Sequence, residues 1–160
     1  MSKSTTIMRK MFVAKPRLTA AAIAFTAAAG FAVTSTGSAY ATGQVCGNGT
    51  SGLSSICIHI DGGGNVVDDA IGSATVTSSN GIGEYAANGN WVTYSGHVQV
   101  INPKGTTLCN SVTKTLTHGT AMSCESPNQG ATYTGEYCAI LWVYNGEYHN
   151  YGEECLNVTD

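Results

Sequence analysis

The chain has 160 residues, seven Lys and Arg, ten Asp and Glu, and a formal net charge of −3. Five of the seven cations precede residue 18, and all ten acids follow residue 60. Without that basic start, residues 42–160 carry two lysines, no arginine and ten carboxylates, a formal −8. Such a surface cannot neutralise a row of phosphates, which excludes nucleic acid and anionic membranes as partners.

Residues 1–17 are basic and residues 18–33 form an Ala-rich apolar run. A small, polar stretch then ends at Ala39-Tyr40-Ala41. Basic, apolar, then A-x-A is the layout of a secretory signal peptide, so residues 1–41 are expected to be removed after Ala41. The apolar run is shorter than the roughly 20 residues that span a bilayer, and no stable membrane insertion is expected after cleavage. The basic segment is long, which leaves Met8 and Met11 as alternative starts. No Arg-Arg pair occurs, which favours the general secretory route. The remaining chain is expected to be extracellular.

Residues 42–160 are expected to form one monomeric domain, long enough to bury roughly two-thirds of its unfolded surface. All six cysteines, Cys46, Cys57, Cys109, Cys124, Cys138 and Cys155, lie in it. An even number in an exported chain predicts three disulfides. Neither C-x-x-C nor a paired His-Cys spacing supports zinc. The gaps favour joining neighbours: 46–57, 109–124 and 138–155. Each such bridge closes a short loop and stabilises the fold by about 3 kcal/mol. Eighteen glycines, four Asn-Gly pairs and no sustained helical period predict an all-β fold. The expected form is a small antiparallel β-sandwich, Ig-like or an open barrel.

Residues 54–61, SSICIHID, alternate, and Ile56, Ile58 and Ile60 should face the core. Residues 62–65 form a glycine turn, and residues 66–71 and 73–79 are two weaker strands. Residues 82–87 lie between Asn-Gly turns. Residues 90–102 form a second strong strand, with Val92, Tyr94, Val98 and Val100 on one face and Gly96 marking a bulge or bend. Residues 106–109, 112–116 and 121–124 are short edge strands.

Residues 137–144 mix aromatic and β-branched side chains suited to a pleated surface and stop at Asn145-Gly146, a hairpin turn signal. A two-residue turn would place Cys138 opposite Glu153 and send each cysteine elsewhere. A four-residue turn over residues 145–148 sets Tyr144 opposite His149, Trp142 opposite Tyr151 and Cys138 opposite Cys155. The second register is favoured because it yields an aromatic pair and a disulfide together.

Asp61, Asn65, Asp68 and Asp69 offer oxygens to calcium around the glycine turn. Their spacing matches no calcium loop, and Asp and Asn beside Gly are ordinary turn residues. No metal and no cofactor is expected. The histidines, His59, His97, His118 and His149, show no HExxH spacing, and no serine lies in a G-x-S-x-G elbow. His149 is expected beside Trp142 or Tyr151. Glu136, Glu147, Glu153 and Glu154 read as solvated edge charges. The aromatic residues are the strongest functional signal, because Tyr and Trp faces serve sugar-ring and protein recognition.

The run GEYCAILWVYNGEYHNYGEECLNV, preceded by YSGHVQV and INPKG, resembles the C-terminal half of small secreted β proteins of actinomycetes to which no function is assigned. That resemblance implies export and a small β fold, and implies no activity. Tyr137-Cys138 also resembles an immunoglobulin strand, without the Cys–Trp–Cys spacing of such domains.

The expected function is a non-enzymatic extracellular binding module. Its ligand is expected to be a cell-envelope glycan or an extracellular protein, contacted by Trp142, Tyr148 and Tyr151. The alternative is a small secreted hydrolase, or a protease inhibitor presenting Lys114 on a loop between Cys109 and Cys124.

Overall fold

The computed structural model describes residues 42–64, 66–130 and 133–159. The expected signal peptide, residues 1–41, lies outside the described residues. Eleven strands follow in order: β1 (Gly43–Asn48), β2 (Ser54–Gly63), β3 (Val66–Val76), β4 (Gly83–Tyr85), β5 (Trp91–Thr93), β6 (Ser95–Ile101), β7 (Thr107–Asn110), β8 (Lys114–Thr115), β9 (Ala121–Ser126), β10 (Gly135–Tyr144) and β11 (Tyr148–Val158). A 3-10 turn, Thr50–Gly52, links the first two. Among the described residues no helix is long and apolar enough to cross a membrane.

The strands form a two-sheet sandwich. One sheet runs β1-β2-β3-β9, and the other β11-β10-β6-β7, with β8 paired to the start of β6. All these pairings are antiparallel. A small β4-β5 hairpin stands apart.

Ile56, Ile58 and Ile60 face the core and are fully buried, each contributing about 1.5–3 kcal/mol. Val98, Val100, Ala139 and Leu141 cover them from the other sheet. The sheets approach closely at Gly72, where a Cβ would lie 2.5 Å from Val100 Cγ2 and 3.3 Å from Ala139 Cβ. That approach explains why β3 runs unbroken from Val66 to Val76, where the sequence predicts two strands divided at this glycine. β10 lies inside its sheet and is buried on both faces from Tyr137 to Leu141, which accounts for its continuous apolar run.

The strand predicted over residues 90–102 is divided at Tyr94. Its first part pairs with β4 and leaves Val92 exposed, contrary to the expected inward row. Gly96 is no bulge: its pairing with Val143 is regular. It makes room for the Trp142 carbonyl and for Leu116, which a Cβ there would strike.

Three disulfides join Cys46–Cys57, Cys109–Cys124 and Cys138–Cys155, the neighbour pairs expected from the spacing. Two are cross-strand links within one sheet, β1 to β2 and β10 to β11. Cys109–Cys124 ties β7 to β9 and so bolts the two sheets together along one edge. At the opposite edge Gly43 and Gly47 of β1 leave room for Leu156 and Glu154 of β11.

The last hairpin keeps the Cys138–Cys155 pairing but departs from the expected register beyond it. Its turn has three residues, Asn145–Glu147, and Tyr144 pairs with Tyr148. Gly146 adopts φ +83. One extra residue then enters β11 between Asn150 and Glu153, so Leu141 faces both Tyr151 and Gly152. The shorter turn sets Asn150 rather than Tyr151 opposite Trp142, and the bulge restores the expected register by Cys155. Gly152 sits at φ +151, and Asn150 steadies the kink through its Oδ1, which accepts the Gly152 N–H at 2.9 Å.

Candidate functional site: an aromatic face on the second sheet

Strand alternation sends one side chain in two to the outer face of the β11-β10-β6-β7 sheet. Register places them in rows across β6, β10 and β11: Gln99, Ile140 and Glu153, then His97, Trp142 and Asn150, then Ser95, Tyr144 and Tyr148. The Trp142 Nε1–H donates to Gln99 Oε1 at 2.9 Å, and Gln99 Nε2 donates to Thr107 Oγ1 at 3.1 Å. These two bonds fix both the Gln99 amide and the indole ring. Tyr148 leans across β10, with its ring centroid 5.0 Å from His97, edge to face, and 5.2 Å from Tyr144. His97, Gln99, Trp142 and Tyr148 thus line a shallow, open cleft of about 230 Å³.

The chemistry of this cleft is apolar with polar margins. Tyr144 and Tyr148 are 45% and 49% exposed, and Trp142 is half-buried. His97 is half-buried and its Nδ1 has no hydrogen-bond partner. Burial holds its imidazole below the usual histidine range, so it is neutral near pH 7. Along β11, Asn150 Nδ2 donates to Glu153 Oε2 at 3.2 Å. Flat rings flanked by amides and one carboxylate can stack on the C–H face of a sugar and bind its hydroxyls.

Of the expected contact residues, Trp142 and Tyr148 come together here and Tyr151 does not. Tyr151 packs against the core on the other side of the sheet, towards Tyr94. Burial and the Glu84 carboxylate, with a smaller effect of Tyr151, push the Tyr94 phenol up to about 12. His149 pairs with Val143, a position that alternation assigns to the face opposite Trp142. It lies 3.6 Å from Glu147 in solvent, and the histidine beside Trp142 is His97. His97 and Gln99 escape the sequence reading as site residues. Their signal is alternation against buried Val98 and Val100, but only the pairing of β6 with β10 brings them to Trp142.

Asp61 and Asp69 are direct cross-strand partners. Asp61 Oδ1 accepts from Thr42 Oγ1 and from the Gly62 N–H, both at 2.9 Å, as a turn residue does. Glu153 lies beside Cys138 and Cys155, whose sulfurs are joined in a disulfide and offer no thiolate to a metal. Lys114 lies in β8 opposite Gly96, and its Nζ donates to the Ala121 carbonyl at 2.8 Å.

No protein-family model, curated protein or solved structure matches the chain.

Proposed function

We propose that residues 42–160 are a secreted extracellular binding module that holds cell-envelope polysaccharide on the aromatic face of the second sheet. The observation that carries this reading is the gathering of Trp142, Tyr148 and His97 around an amide, Gln99, which the indole itself orients. Stacked rings contribute about 0.5–1.5 kcal/mol beyond their buried area, and repeated contacts along a polymer multiply through effective concentration. Three disulfides suit an oxidising compartment outside the cell, and the acidic character of residues 42–160 suits solubility there.

The alternative readings draw less support. A hydrolase acting by acid–base chemistry needs a positioned acid and base; the carboxylate on this face, Glu153, sits on β11 bonded to Asn150, and none lines the cleft beside His97. An inhibitor would present Lys114 freely, but its ammonium is turned back on Ala121.

Pull-down of residues 42–160 on insoluble bacterial cell-wall material and on chitin tests the proposal. Trp142→Ala and Tyr148→Ala should each lower retention about tenfold, or about 1.4 kcal/mol. Tyr151→Phe should be retained like the wild type. Unchanged retention of both alanine variants would remove this face from the account.

A further inference from the structure

The first sheet carries a second concave site with different chemistry. Beyond β7 the chain runs as a strap, residues 111–114, alongside the β9 edge. Ser111 pins this strap to β6, because its N–H donates to the Val98 carbonyl at 2.8 Å and its Oγ accepts the Val98 N–H at 2.9 Å. The Lys114 ammonium closes the far end on the Ala121 carbonyl. Cys109–Cys124 fixes the strands on either side. Between strap and sheet lies a cleft of about 330 Å³.

We propose that this cleft binds the oxyanion of an acidic sugar unit, carboxylated or phosphorylated. Its floor presents the hydroxyls of Ser73, Thr75 and Ser123. Ser73 and Ser123 are direct cross-strand partners, and Thr75 lies two residues further along β3. Thr75 and Ser123 are exposed and Ser73 is half-buried, so the floor is open to an incoming group. Lys114 supplies the positive charge. An ammonium has three N–H donors; Ala121 takes one, and two remain for a ligand. That same bond holds the charge over the cleft.

Residues 42–160 carry ten carboxylates and two lysines. Lys104 lies 3.6 Å over the Tyr133 ring. Lys114 lines a cleft whose walls include no carboxylate. One ammonium among neutral hydroxyl groups is a setting that favours an anion over a cation. One ammonium and three hydroxyls in a half-open cleft suit a millimolar affinity for a single unit, multiplied along a polymer. The floor of the cleft lies on the first sheet and its strap extends from the second, and it shares no lining residue with the aromatic face.

The test is NMR titration of ¹⁵N-labelled residues 42–160 with D-glucuronate, glucose 6-phosphate and glucose. Either acid should shift the amides of Ser73, Thr75, Lys114 and Ser123, and the stronger of the two identifies carboxylate or phosphate as the preferred oxyanion. Glucose should shift them at least tenfold more weakly. Lys114→Met, which keeps the aliphatic stem, should weaken binding at least tenfold, and Lys114→Arg should restore most of it. The amide spectrum of each variant reports its folding directly. The proposal is overturned if neither acid moves these amides, if glucose binds as well as the acids, or if folded Lys114→Met binds unchanged.

Discussion

The rings of His97 and Tyr148 meet edge to face at 5.0 Å, although β10 separates the strands that carry them. Tyr148 therefore reaches from edge strand β11 across β10 to β6 and forms one wall of the aromatic cleft. The contact also leaves the imidazole short of water, with Nδ1 unpartnered.

That environment fixes the sign of a pH effect. His97 has a lowered folded value because of burial, whereas in the unfolded chain it titrates near 6.5. Acidification protonates the unfolded state first, so stability falls as pH falls. The contribution is complete above about 6.5 and is lost as pH drops through the lower folded value. Urea unfolding at about pH 7.5 and about pH 5 should show a larger loss for the wild type than for His97→Gln. Equal losses would take His97 out of this explanation.

The bulge at Gly152 should tolerate no side chain. A Cβ there would lie 2.6 Å from Ile56 Cδ1 and 2.7 Å from the Gly49 Cα, in a backbone at φ +151. Gly152→Ala should destabilise the domain by about 1–3 kcal/mol through overpacking alone, with backbone strain added. The unfolding midpoint in urea reads this out; a midpoint equal to that of the wild type would mean that the kink is not rigid.

How far the fold is legible in the sequence depends on range. The isoleucine face of β2 follows from alternation over a few residues and the three neighbour disulfides from spacings of 11, 15 and 17 residues, and the structure holds them. The faces of Tyr151 and His149 do not follow, because a three-residue turn and one inserted residue at Gly152 shift the register between the turn and the disulfide. The two offsets cancel by Cys155, so the bridge is readable from the sequence while the strand between is not. His97 and Gln99 join Trp142 through the pairing of strands about 40 residues apart, and local alternation has no access to such a pairing.

Asp61 and Asp69 oppose each other directly across β2 and β3. Like charges in that relation are destabilising. Asp69→Asn should therefore raise stability by about 0.2–1 kcal/mol, and added salt should shrink the gain. Thermal unfolding of the two proteins at low and high salt measures it. A loss of stability in Asp69→Asn would indicate that the second carboxylate has a partner of its own.

The inter-sheet bridge Cys109–Cys124 closes a separation of 15 residues, and its removal as Cys109→Ala/Cys124→Ala should cost about 2–4 kcal/mol. Chemical denaturation of this double variant should give one cooperative transition at lower denaturant. An unchanged midpoint would show that core packing alone fixes the two sheets.

NMR mapping with soluble cell-wall oligosaccharides tests most directly whether the aromatic face is the ligand site. The side-chain signals of Trp142 Nε1 and Gln99 Nε2 should shift together with the amides of His97 and Tyr148, while Tyr151 stays still. Shifts confined to other surfaces, or none at millimolar oligosaccharide, would contradict that assignment.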